Sequence, residues 1–221
     1  MKRLKTNRLK RFLPAASVVF STALLSASAP WSTVAYAQDA APAPTAQATA
    51  GSKVVLLPVI NISGEKDDKQ KADQVKRAEE ELAKQFRERG FMLIPRETVD
   101  KALTDERIDL TDEEYHNRSS ILKVGRATGA DLAVFVLITD VDQRRVRAPL
   151  TGEEMVGKAR TKIWVLSVAD EKPLLNAVRH ESQARSNLLP GFDSGARLIR
   201  NSVAGAVRDT LRPFFLNLPK R

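Results

Sequence analysis

Two histidines, His116 and His180, are the only imidazoles in a 221-residue chain that has no cysteine. A zinc site would need both of them plus carboxylates, and neither sits in a ligand spacing. His116 falls in a stretch expected to be helical and His180 in one expected to be an edge strand. Both therefore read as surface or half-buried side chains. Ser182 follows His180 by two residues. On a strand the pair would point the same way, but no third group orients a nucleophile and base. No Gly-x-Ser-x-Gly elbow and no glycine-rich phosphate loop is present. The carboxylate pairs Glu79–Glu81, Glu113–Glu114 and Glu153–Glu154 lie in polar surroundings. General acid catalysis needs a raised pKa and hence a partly apolar pocket. The chain is thus expected to have no catalytic residue, no cofactor site and no metal site, and not to be an enzyme.

Two binding constellations remain. Arg144, Arg145 and Arg147 end one expected strand, and Lys158, Arg160 and Lys162 begin another. If those strands are antiparallel neighbours, the six cluster at one end of a sheet. They could meet anionic envelope material or an acidic partner surface; the plainer reading is a solvated strand extension. Aromatic residues are sparse there, which argues against single-stranded nucleic acid. The second constellation is Asn61, Arg96 and Asp140, placed where a small ligand or cell-wall fragment could enter a crevice at the carboxyl ends of parallel strands.

The element that must position these groups is Gly129-Ala-Asp-Leu-Ala-Val-Phe-Val-Leu-Ile-Thr-Asp140. Leu132 to Ile138 is wholly apolar and too short for an ordinary helix, so it reads as a strand buried on both faces. Such a strand needs layers on both sides. Lys53–Ile60 is the first strand, at an edge, bulged or ended at Pro58. A helix over about 69–89 carries Ala72, Val75, Ala78, Leu82 and Phe86 on one face, with Glu80–Lys84 as an i,i+4 pair, and Gly90 ends it. Phe91–Ile94 is a short strand and Glu97–Leu103 a short helix. Thr111-Asp-Glu-Glu114 reads as a capping box for a helix running to about Thr128. Val156–Val168 and Leu174–Ala184 form a hairpin, the latter strand at the sheet edge. A last helix starts near Asp193 or Ser194, shows Ala196, Ile199, Val203, Val207 and Leu211 inward, and is stopped by Pro213. Phe214, Phe215 and Leu216 then dock on the core. The expected fold is α/β, one domain with a mixed sheet of about five strands packed with helices.

Residues 1–37 read as a secretory signal: six basic residues, an apolar stretch, then Ala35-Tyr-Ala37. A retained anchor is the rival reading, but Pro14, Pro30 and several serines interrupt the apolar run before it reaches about 20 residues. No integral span is then expected in the mature chain. Residues 38–52, rich in Ala, Pro, Gln and Thr, form a disordered linker, and 53–221 the folded domain. The formal charge of +9 owes six positive charges to the signal; 30 basic and 27 acidic residues remain, a net +3. Nucleic-acid binding loses its main support.

Val55-Leu-Leu-Pro-Val-Ile-Asn-Ile-Ser-Gly64 resembles the opening strand and Asn-x-Ser-Gly loop of the curli-secretion CsgG-like family and of TolB amino-terminal domains. Gly90-Phe91, Ile94-Pro95-Arg96 and Gly129-Ala130-Asp131 with its strand to Thr139-Asp140 continue the likeness in order, over nearly all of 54–212. The resemblance implies a periplasmic or outer-membrane-associated α/β module for assembly, secretion or regulation of envelope machines. The chain departs from the pore-forming members. It has no cysteine to lipidate, and its candidate insertions at 144–157 and 184–192 are too short and charged to be membrane strands of about 9–11 residues. The expectation is therefore a periplasmic, non-catalytic module of a Gram-negative envelope, secreted by the general route, that binds a protein partner. A small-ligand module is the alternative, and homo-oligomer formation is left open.

Overall fold

The computed structural model describes residues 49, 51–148, 152–186 and 195–218. The expected signal segment, most of the expected linker and the helix start expected near Asp193 or Ser194 lie outside the described residues. One mixed sheet has the order β3-β1-β4-β5-β6, with β2 beside β4. Its strands are β1 (Lys53–Leu56), β2 (Ile60–Asn61), β3 (Met92–Leu93), β4 (Leu132–Ala148), β5 (Gly152–Ser167) and β6 (Pro173–Ser186). The helices are α1 (Asp68–Arg87), α2 (Arg96–Asp105), α3 (Arg118–Ala127) and α4 (Gly195–Leu216). The α/β fold with a single mixed sheet is as the sequence implies.

β4 is central because both faces of Leu132–Ile138 are apolar, and all seven residues are buried. Val134, Val136 and Ile138 pack under α1 and α4 with Val54, Leu82, Phe86, Val203 and Val207. Ala133, Phe135 and Leu137 pack with Val55, Val99, Ile121, Val124 and Trp164 on the side of α2 and α3. β1 and β2 both pair with β4 in parallel, Leu56 against Val134 and Ile60 against Leu137. Four steps along the first chain thus match three along β4, which is a bulge at Pro58. The Leu57 N–H reaches the Val134 carbonyl, so position 58 is turned toward the side where β3 ends. A missing N–H costs little there.

Five local expectations are corrected. Thr111 is not a helix cap: its hydroxyl donates to Asp109 Oδ1 at 2.7 Å. A 3-10 turn over Glu113–Tyr115 intervenes, closed at His116, and Asn117 caps α3 by accepting from the Ser120 N–H at 3.0 Å. α4 does not stop before Pro213 but runs through it to Leu216. Phe214 is buried beside Phe86, with ring centroids 6.0 Å apart, and Phe215 stands edge-on to Phe86 at 5.2 Å. This aromatic packing keeps the last turn helical although Pro213 cannot donate to the turn before it. Leu216 is 70% exposed and does not dock. On α1, Ala72 is exposed, whereas Gln74, Glu81 and Gln85 are buried. Glu80 pairs with Arg77 and Lys84 with Glu88, rather than with each other.

Candidate functional site

The long β4–β5 hairpin carries the basic residues. Its register shifts between Ile138 and Asp140, so Thr139 is a bulge. The bulge reverses the alternation of β4. Before it, Ile138 points to the α1–α4 side; after it, Val141 packs on that side and Asp140 lies opposite Arg160. Cross-strand partners share a face. Asp140, Asp142 and Arg144 therefore share a face with Arg160, Lys158 and Val156, and Arg145 and Arg147 lie on the other face, opposite Met155 and Glu153. The six basic residues are split between two faces and do not form one patch.

Two of them are also neutralised. Glu181 of β6 sits opposite Arg160. One of its carboxylate oxygens accepts from Lys158 Nζ at 2.8 Å, and the other from Arg160 Nε at 2.9 Å and Nη2 at 2.8 Å. Asp140 adds a contact to Arg160 Nη1 at 3.5 Å. Hydrogen bonds from Lys158 and Arg160 lower the Glu181 pKa to about 2. Lys162 lies with its ammonium 4.6 Å from the centre of the Trp164 ring. Trp164 in turn stacks on Phe135, which meets His116 at 5.4 Å. His116 Nε2 is 2.8 Å from the Leu110 carbonyl oxygen. Its ring closes a turn against the core. The open element here is β6: among the described residues its hydrogen-bonded neighbour is β5 alone, and α4 packs behind it, where Ser202 Oγ accepts the Ala184 N–H at 3.1 Å.

The crevice residues are also divided. Asn61 pairs with Ile138, two residues from Asp140. Its side chain is committed: Nδ2 donates to Gln74 Oε1 at 2.7 Å, and Oδ1 accepts the Ser63 N–H at 3.0 Å and hydroxyl at 2.6 Å. It fastens the β2–α1 loop to α1. Asp140 is held by Arg160. Arg96 lines a cavity of about 440 Å³ at the carboxyl ends of β1 and β3, which Asn61 and Asp140 do not line. β1 and the residue after it contribute Leu56 and Leu57; β3 and its exit contribute Leu93, Ile94 and Pro95. Glu79, Leu82, Ala83 and Arg87 of α1 complete the wall. Sequence reasoning missed these four. Leu82 belongs to the core-facing stripe and Glu79, Ala83 and Arg87 flank it at helical spacing, the available signal.

Glu81 was expected in polar surroundings, yet it is 4% exposed. It accepts from Gln85 Nε2 at 2.7 Å. Gln85 in turn holds Arg89, whose guanidinium lies 4.0 Å from the Phe215 ring centre. The chain of contacts ties the end of α1 to the end of α4. Among the described residues no group of three or more His, Cys, Asp or Glu side chains could hold a metal ion. No helix among them is long and apolar enough to cross a membrane.

No protein-family model matches the sequence, and no curated protein does. Solved structures show a partial likeness. Lipoprotein GNA1162 from Neisseria meningitidis is 15% identical over 73% of this chain and 99% of its own, with a TM-score of 0.43. The LpoB C-terminal domain from Salmonella enterica is 14% identical over 62% of this chain and 84% of its own, at 0.40. E. coli LpoB is 13% identical over 84% and 94%, also at 0.40. The function proposed below rests on this chain's own residues.

Proposed function

We propose that the chain is an exported, non-catalytic module of a cell envelope, working in the periplasm in assembly, secretion or regulation, and that it binds a protein partner along the outer edge of β6. The observation that carries this reading is the edge itself. β6 has 14 residues, and among the described residues its hydrogen-bonded neighbour is β5 alone. A strand bonded on one side leaves alternate N–H and C=O groups directed outward, and an added strand can pair with them. α4 and the Glu181 ion pairs hold β6 in place, so the edge is preformed. Arg185 of β6 lies on the face bearing Lys158 and Arg160, giving an acidic partner strand a basic contact at that edge. The basic, then apolar, Ala35-Tyr-Ala37-ended leader supports export, and the CsgG-like and TolB-like resemblance supports an envelope role.

The test is photo-crosslinking in living cells from Asn176, Gln183 and Arg185, all exposed on β6, with Lys123 of α3 as control. One envelope protein captured from the three β6 positions and not from Lys123 is the expected result. Capture from Lys123 alone, or from none, removes the β6 edge as the binding surface. Capture of the chain itself would make the partner a second copy.

A second reading is favoured by the cavity at the ends of β1 and β3, whose volume of about 440 Å³ lies within the range of small-molecule sites. There the module would bind a small ligand.

A further inference from the structure

We propose that this cavity takes a small apolar carboxylate, with its hydrocarbon body between Leu82 and Leu93 and its charge on Arg87. The inference rests on the small-ligand reading and names the ligand class.

Three charged side chains line the cavity, and two cancel. Glu79 Oε1 accepts the Val59 N–H at 3.3 Å and Arg96 Nη1 at 3.1 Å. Arg96 also donates through Nε to Asp100 Oδ1 at 2.9 Å. The Glu79–Arg96–Asp100 group is therefore satisfied within the chain. Arg87 is exposed, and no ion pair to it is seen among the described residues. It is the uncompensated charge of the lining.

The spacing sets the length of the ligand. Glu79 and Arg87 are eight residues apart on one helix, about 12 Å by helical rise. Ala83 lies midway, and its small side chain leaves the groove open at its centre. Leu56, Leu82, Leu93 and Ile94 make that centre apolar. The cavity thus has a polar end whose charges are paired within the chain, an apolar middle and a cationic end. An apolar body with one negative charge matches all three. A single guanidinium suits a monoanionic carboxylate, which it can hold through two hydrogen bonds. A phosphate dianion at Arg87 would keep one negative charge that the single guanidinium does not neutralise. Two sources share this chemistry: a free short-chain acid, and the terminal carboxylate of a peptide ending in an apolar residue.

The experiment uses ¹⁵N-labelled protein purified after export. Four probes are titrated: octanoate, octanamide, and a pentapeptide ending in leucine with its terminus either free or amidated. Saturable shifts of the Ala83, Leu93 and Ile94 amides are the readout. An acid should bind at least about tenfold tighter than its amide, because a charge-assisted hydrogen bond to Arg87 is lost in the amide. Arg87→Glu should remove that difference without altering the circular dichroism spectrum, since the side chain is exposed. Ala83→Phe should abolish binding by filling the groove. Binding of octanoate alone assigns a free acid, and binding of the free peptide alone assigns a chain terminus. Equal binding of acid and amide, or no effect of Arg87→Glu, overturns the carboxylate assignment and leaves a neutral-ligand crevice. No saturable shift with any probe overturns both the assignment and the crevice reading.

Discussion

Arg160 and Glu181 face each other across β5 and β6, with Arg160 Nη2 2.8 Å from the Glu181 carboxylate and Lys158 on its other oxygen. The carboxyl pKa falls from an ordinary 4.5 to about 2 because hydrogen bonds from Lys158 and Arg160 favour the charged form. A group whose folded pKa is depressed adds stability above its unfolded pKa and loses it as pH falls through the folded value. The Glu181 contribution is therefore complete above about pH 4.5 and fades toward pH 2. Glu181→Gln should lower the melting temperature at pH 7, and the gap from wild type should close as pH falls between those values. A gap constant with pH would mean that the ion pair adds no stability.

Gly157 is where α4 lies directly on β5. A Cβ added there would come within 2.9 Å of the Leu198 carbonyl carbon and 3.1 Å of the Ile199 nitrogen, both backbone atoms. Backbone cannot rotate away, so Gly157→Ala should force the helix outward at a cost of about 1–3 kcal/mol. Urea unfolding measures it. Gly205→Ala should cost less, because its closest contact is the Ser182 hydroxyl, which can rotate.

Phe86 is fully buried and touches Phe91, Phe214 and Phe215. Phe86→Ala should destabilise by about 3–5 kcal/mol through lost burial and the cavity left behind. The last turn of α4 rests on this ring, so amide hydrogen exchange over 212–217 should speed up more than exchange in α3.

Asn117→Ala removes the acceptor for the Ser120 N–H and should cost about 1 kcal/mol in chemical denaturation. Thr111→Ala, at the position first expected to cap this helix, should cost less, because its hydroxyl serves an exposed turn with Asp109.

Much of the fold was legible because single residues dictated it. Seven apolar residues between Gly129 and Thr139 could be satisfied only between two layers. Gly90, with φ of +79°, ends the α1 segment in a conformation that costs glycine little. Pro58 announced an interruption, and the parallel pairing of both β1 and β2 with β4 shows it to be a bulge. The polar β6 was placed at an edge by its composition, and it is an edge.

The sites were less legible, for one reason in each case. The basic residues of β4 were grouped by their nearness along the chain, whereas a strand distributes neighbours to opposite faces and the Thr139 bulge reverses which face is which. No residue type signals that bulge; it exists only in the register with β5. Glu81 reads as a residue in polar surroundings, and packing against the rest of the protein buries it. Pro213 is a helix breaker in isolation, and the aromatic cluster of Phe86, Phe214 and Phe215 overrides it. The cavity draws its lining from β1, β3 and α1, which are far apart in sequence. By itself the sequence determined the apolar periodicities and the break at Gly90. Tertiary structure alone decided register, facing and burial, because these are relations between segments that no one segment encodes.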